Sequence, residues 1–218
     1  MGCGGQLVLP IHFLKKAQEL IREAGGICIA DEVQIGFGRI GTHFWGFEYH
    51  GVEPDIVTLG KSIGNGHPLS VVITSREIAN NFHNGMEYFN SFGGNPVSAA
   101  IGHEVLRVIK EEKLQQNASL VGSSLKSMLM ELKNIHDIIG DVRGEGLFLG
   151  IEIVDNKKSL KPLTKTAKTI VNKMKDHGVL LSTDGPENNV IKIKPPMVFN
   201  SANAEFLIES LHSIFSKI

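Results

Sequence analysis

Residues 55–68 read DIVTLGKSIGNGHP, an apolar run of strand character that ends in a glycine and a single lysine. Ile56, Val57 and Thr58 are β-branched, which favours an extended chain. Gly60, Gly64 and Gly66 mark a tight passage where backbone must come close to something. Lys61 therefore stands at the carboxyl end of an expected strand. An amine that is to attack a carbonyl at neutral pH must lose its proton, and partial burial beside cationic or apolar groups shifts lysine in that direction. The ordinary alternative is a solvated surface charge, so the reading turns on what the rest of the chain supplies.

Composition bounds that reading. The chain has 218 residues, 42% of them apolar, and a formal charge of -1, which fits one or two globular domains. No basic block points to nucleic acid, and no acidic tail to a disordered arm. No apolar run reaches the length needed to cross a membrane, and the first ten residues, MGCGGQLVLP, lack the charged start and apolar core of a secretion signal. The chain reads as soluble and intracellular, with no nucleic-acid or membrane partner. Cys3 and Cys28 form no CxxC pair, and the histidines are scattered without HExxH, so neither a disulfide framework nor a metal site is expected. Two short motifs are set aside. GFGRIG at 36–41 matches GxGxxG, but the aromatic, turn-rich THFWGFEYHGVEP follows where a dinucleotide site requires a helix. MGCGG resembles a myristoylation start, but Gln6 stands where Ser or Thr is needed.

Along the chain, 11–24 has helical apolar spacing and stops at Gly25-Gly26, and 27–30 reads as a short buried strand with Asp31 to Gln34 at its carboxyl end. With 56–59 and the apolar run 69–74, this predicts a layered α/β core, in which ligands gather at the carboxyl ends of strands. A short helix is expected over 76–82. GMEYFNSFGGNP, at 85–96, is read as a binding loop, and Pro96 opens a helix over 97–113. Residues 114–118 are expected to be a hinge, so that 1–116 form one domain and 117–218 a smaller α+β domain. The latter has helices over 119–132 and 164–175, strands over 137–142, 147–154, 179–182 and 190–194, and a last helix capped by Ser201.

An acid and an amide at the end of one strand, with a lysine at the end of the next, suit pyridoxal phosphate. Its ring nitrogen needs an acid, because the protonated ring withdraws the electrons that a substrate carbanion leaves behind. Asp31 can supply it, Gln34 can reach the ring hydroxyl, and Val33 between them offers an apolar face. The plain alternative is that Asp31 and Glu32 are turn or helix-capping acids.

DEVQIGFGRIG, PDIVTLGKSIGNGHP, SFGGNPVSAA and VRGEGLFLGIE occur in an order and spacing that resemble the class III pyridoxal-phosphate-dependent aminotransferases, over essentially the whole chain. The resemblance implies fold type I: part of a large cofactor domain with a mostly parallel sheet, a small carboxyl-terminal domain, and an active site shared across a homodimer. It places the Schiff-base lysine on Lys61, the pyridinium partner on Asp31 and the ring-hydroxyl contact on Gln34. The hydroxyl that reaches the partner subunit's cofactor phosphate falls on Ser91, where threonine is usual. Arg143 matches an arginine that grips a substrate carboxylate and whose geometry suits phosphate equally, its alternative being a salt bridge within the small domain.

THFWGF, GMEYFNSFGGNPVS, LLSTDGP and IKIKPPM resemble a narrower branch, the phospho-lyases acting on phosphoethanolamine or 5-phosphohydroxylysine. A transaminase using glyoxylate or pyruvate, and a non-catalytic dimerisation partner, are the competing readings. The resemblance implies a mitochondrial setting, with the cytoplasm as the alternative. Members of the family carry a long amino-terminal portion, with the small-residue loop that holds the cofactor phosphate and an aromatic residue that stacks on the ring, ahead of the position of Met1. The expectation is a truncated chain that binds the cofactor weakly.

Overall fold

A computed structural model describes residues 1–218, which divide into two compact units: 10–38 with 43–114, and 1–9 with 39–42 and 115–218. The first contains Lys61 and is called the lysine unit; the second is the carboxyl-terminal unit.

The lysine unit runs α1 (Phe13–Glu23), β1 (Ile29–Asp31), α2 (Gly46–Tyr49), β2 (Ile56–Leu59), a single 3-10 turn (Lys61–Ile63), β3 (Val71–Thr74), α3 (Arg76–Phe82) and α4 (Pro96–Glu111). Its sheet has the order β1-β2-β3, with β1 parallel and β3 antiparallel to β2. The first strand starts two residues later than the sequence suggests because the Cys28 carbonyl accepts the Asp55 N–H at 2.8 Å, while the Cys28 N–H goes to the Asp55 carboxylate at 2.7 Å. Little of this unit is enclosed. No residue of α1 is buried, and Ile29 of β1 and Val72 of β3 are 60% and 67% exposed. Phe89 and Phe92 in the loop before α4 are more exposed still, at 80% and 83%.

The carboxyl-terminal unit runs α5 (Leu114–Ile135), β4 (Ile139–Glu145), β5 (Phe148–Ile153), α6 (Thr164–Asp176), β6 (Ser182–Asp184), β7 (Val190–Ile193) and α7 (Ser201–Phe215). Its antiparallel sheet has the order β4-β5-β7-β6. Leu125 and Leu129 of α5, Ile170 and Met174 of α6 and Leu211 of α7 share one buried cluster with Ile139, Ile151, Ile153 and Ile191 of the strands. This dry core is what holds the unit together; each such side chain contributes about 1.5–3 kcal/mol relative to exposure. Gly122 of α5 must be glycine, since a Cβ there would lie 2.3 Å from the carbonyl carbon of Gly146.

Four expectations are corrected. Residues 114–118 are not a hinge but the first turns of α5, with Ala118 fully buried; the chain breaks at Lys113, whose φ of 53° lies in the left-handed region. The units divide between 114 and 115, and 1–9 and 39–42 go with the carboxyl-terminal unit. Residues 39–42 are tied there by the Arg39 guanidinium, which donates to the carbonyls of Leu147 (3.1 Å) and Pro195 (2.8 Å), while the Arg39 carbonyl accepts the Leu147 N–H; residues 1–9 are tied by the Gly5 carbonyl, which accepts from Arg143, and by the Gln6 side chain, which donates to Asp184. The strand expected over 179–182 is displaced to 182–184, because the Val179 N–H is used by the Met174 carbonyl at the end of α6. The cap of α7 is Asn200 rather than Ser201: its side chain accepts the Asn203 N–H at 3.0 Å, and the Asn203 side chain accepts the Asn200 N–H at 3.2 Å.

His136, just past α5, and His212 of α7 place Nε2 and Nδ1 2.9 Å apart, so one ring must donate and the other accept. Burial, then His212, then Lys157 hold the His136 pKa below 6.5. A histidine with a depressed folded pKa contributes stability that is present above its unfolded pKa and is lost as pH falls. The melting temperature is therefore expected to decline as pH drops below about 6.5, and His136→Gln to flatten that decline in a pH series of thermal melts.

Candidate functional site

The site begins with the β1–β2 register. Asp31, the last residue of β1, is paired with Thr58, and the Glu32 N–H continues the ladder to the Thr58 carbonyl at 3.0 Å. The carboxyl ends of the two parallel strands therefore lie side by side. Asp31 is exposed there, and its Oδ1 accepts the Val33 N–H at 3.1 Å. The Val33 side chain reaches the backbone of Gly60, where a Cβ would sit 3.4 Å from it. Gly60 is fully extended, and Lys61 opens the 3-10 turn immediately after it.

Lys61 has φ 41° and an exposed side chain. The left-handed region costs a non-glycine residue of order 1–2 kcal/mol, so the surroundings must enforce it. The Gly64 and Asn65 N–H groups both donate to the Lys61 carbonyl at 3.1 Å, and a Cβ on Gly64 would fall 1.9 Å from the His67 carbonyl oxygen. Ile63 is buried beside α4 at Gly102. His67 Nε2 and Ser98 Oγ are 2.8 Å apart. Asn95, the cap of α4, accepts the Ser98 N–H at 2.9 Å and donates to Ser98 Oγ and to the Phe92 carbonyl. A run of polar contacts thus joins the turn of Lys61 to the residue after Ser91. Ser91 itself lies exposed in that loop.

Glu32 faces the opposite way from Asp31 and is 2% exposed. Its Oε2 accepts the Gly46 N–H at 2.8 Å and its Oε1 the Phe47 N–H at 2.9 Å. Burial raises its pKa, the two N–H groups pull it back down, and the charges of Glu48 and Asp31 raise it. The capping alternative weighed for this pair of acids thus describes Glu32, whereas Asp31 makes only a local turn contact. Gln34 is half-buried on the same loop.

Asp31, Val33, Gln34 and Lys61 therefore come from two adjoining strand ends, and this donor set fits a flat ring bearing an acidic nitrogen position, a hydroxyl and an aldehyde. Arg143 is placed in the carboxyl-terminal unit, where its alternative reading is realised. Its Nη1 contacts Glu152 at 2.5 Å and Asp141 at 3.1 Å, and its Nε donates to the Gly5 carbonyl at 2.7 Å. His67, Ser98 and Asn95, which brace the lysine turn, were not singled out in the sequence; Asn-Pro ahead of a helix, at 95–96, is the cap signal that marks one of them.

The family model for class III aminotransferases matches residues 1–215. The chain belongs to that family. A Drosophila melanogaster alanine–glyoxylate aminotransferase 2-like protein is 54% identical over 209 residues, which are 94% of this chain and 42% of that protein. The human mitochondrial alanine–glyoxylate aminotransferase 2 is 44% identical over 217 residues, 99% of this chain and 42% of the human protein. An Arthrobacter phospholyase solved with phosphoethanolamine has TM-score 0.96 and 39% identity, over 100% of this chain and 51% of that one. A Bacillus anthracis aminotransferase has TM-score 0.91 and 34% identity, over 100% and 50%. The chain thus spans about half the length of the relatives it matches. The fold is that of the fold type I enzymes, and pyridoxal 5'-phosphate is the cofactor this family uses. No helix is long and apolar enough to cross a membrane.

Because Arg143 holds two carboxylates and a carbonyl with its side chain only 15% exposed, Arg143→Gln is expected to lower unfolding free energy by about 1.5–3 kcal/mol. Urea denaturation checks this. An unchanged midpoint would show that these contacts add nothing to stability.

Proposed function

We propose that this chain carries the lysine half of a phospho-lyase that eliminates phosphate from a phosphorylated amine, phosphoethanolamine or 5-phosphohydroxylysine. The observation that supports this most is the likeness to the Arthrobacter phospholyase, at TM-score 0.96 and 39% identity, above the 34% of the Bacillus anthracis aminotransferase. When bound, pyridoxal phosphate supplies an aldehyde that takes up the substrate amine and a protonated ring that withdraws electrons.

The chain's residues do the rest. With the cofactor bound, the Asp31 carboxylate would hold the proton on the ring nitrogen, Gln34 would meet the ring hydroxyl and Val33 would cover one face of the ring. Lys61 Nζ would accept the proton from the substrate carbon that bears nitrogen. The electron pair left on that carbon forms a double bond to the neighbouring carbon as phosphate departs. The protonated Lys61 would return its proton to the far carbon of that double bond, and water would then release the product as an aldehyde and ammonia. The enforced backbone at Lys61 fixes the point from which its exposed side chain starts.

Ser91 is assigned to the cofactor phosphate of a second subunit, in a homodimer with shared sites. Arg143 could serve the substrate anion only by leaving Asp141 and Glu152. The mitochondrion is the proposed compartment, supported by relatives named as mitochondrial. The same relatives' names, alanine–glyoxylate aminotransferase 2, favour a second reading in which the amine passes to a keto acid.

A chimera in which this chain replaces the matching part of the Drosophila relative separates the two. Phosphate release from phosphoethanolamine without any keto acid, abolished by Lys61→Ala, is the expected result. Amine transfer that requires glyoxylate or pyruvate would establish the transaminase. For the 218-residue chain alone, borohydride trapping with pyridoxal phosphate is expected to give substoichiometric labelling confined to Lys61, read by peptide mass; stoichiometric labelling would show that the chain holds the cofactor unaided.

A further inference from the structure

We infer that Glu32 is a positioning residue: through the N–H groups of Gly46 and Phe47, its buried carboxylate sets the direction in which Asp31 and Gln34 face the cofactor ring. This deepens the function proposed above and rests on it.

Glu32 lies between Asp31 and Val33, so whatever fixes its side chain fixes the strand end on both sides. Outward along the chain, its N–H is held by the Thr58 carbonyl and its own carbonyl accepts the Gly36 N–H at 3.0 Å. Inward, both carboxylate oxygens are engaged, at 2.8 Å and 2.9 Å, by the first two backbone N–H groups of α2. A group that is 2% exposed and bonded from four sides leaves the backbone at Asp31 almost no freedom to tilt.

The packing around it is equally constrained. A Cβ on Gly46 would fall 2.0 Å from Ile35 Cδ1 and 3.3 Å from Glu32 Oε1, and one on Gly36 would fall 2.9 Å from the Glu32 carbonyl oxygen and 3.1 Å from the Trp45 ring. The loop is therefore closed around the carboxylate, and Phe37, Phe44 and Trp45 stack edge-to-face beside it at 4.7–5.9 Å between centroids. No ligand contact is needed to explain Glu32's geometry. Its effect on the cofactor runs through Asp31 and Gln34, on either side of it in the chain.

Glutamine has the same shape but only one acceptor oxygen, so Glu32→Gln turns an NH2 group toward a backbone N–H and must loosen one of the two ties. Trp45 is the only tryptophan in the chain, which gives a readout free of cofactor: its emission should shift in Glu32→Gln, and the acid-dependent change of emission expected of the parent chain should be lost.

The cofactor arm compares pyridoxal phosphate with 1-deazapyridoxal phosphate, which has CH in place of the ring nitrogen, by equilibrium dialysis on the parent chain, Glu32→Gln and Asp31→Asn. The parent should prefer pyridoxal phosphate by about tenfold, the scale of one charge-assisted hydrogen bond. Asp31→Asn should abolish the preference, and Glu32→Gln should reduce it severalfold. Equal weakening of both ligands by Glu32→Gln would make Glu32 a structural residue only and overturn the inference. Unaltered Trp45 emission would overturn it as well. If the parent shows no preference, or Asp31→Asn keeps it, the assignment of Asp31 fails and with it the reading on which the inference rests.

Discussion

The parallel register that sets Asp31 opposite Thr58 is the constraint from which the site follows. Parallel strands run the same way, so their carboxyl ends, and the residues just beyond them, are brought to one edge of the sheet without any further device. Asp31 and Lys61 are far apart in sequence yet become neighbours in the layer through three ladder pairs. An antiparallel β1–β2 pairing would have sent them to opposite edges. The local conformations then refine what the register provides: an extended Gly60, a left-handed Lys61, and an inward-facing Glu32.

Much of this was legible in the sequence, for definable reasons. β-Branched residues at 56–58 fixed the strand before Lys61, and helical periodicity together with Pro96 located α4. The family motifs span the chain in order and so carried the class III assignment. What could not be read was set by partners distant in sequence. Residues 114–118 are polar enough to look like a hinge, but Leu114 and Ala118 fall on the buried side of α5. Arg39 gave no sign that it would tie its short segment to carbonyls more than a hundred residues away. Arg143 carries a motif that resembles a substrate-binding one, yet local geometry supplies it with Glu152 across the strand pair. A sequence pattern cannot say which of two acceptors, internal or external, a guanidinium will meet.

Glu32 and Asp31 show how adjacent acids divide labour. Alternation along a strand end turns one toward solvent and the other toward the interior, so identical chemistry receives opposite environments. The exposed acid is available to a ligand, and the buried one is committed to the backbone. The second is as demanding as the first, because an ionised carboxylate is stable in such a place only when its oxygens are satisfied.

The two units also differ in how they meet water. The carboxyl-terminal unit encloses its apolar side chains, whereas the lysine unit leaves in solvent the phenylalanines of the loop before α4 and also Ile29 and Val72, which lie on strands whose outer edges have no neighbour. Open apolar edges recruit other chains. Folding of this unit is first order in protein, while association through its edges is second order, so the yield of dispersed protein is set by concentration and by the speed with which those strands are covered. Slow synthesis, dilution or a chaperone that shields extended apolar segments would each favour the dispersed form.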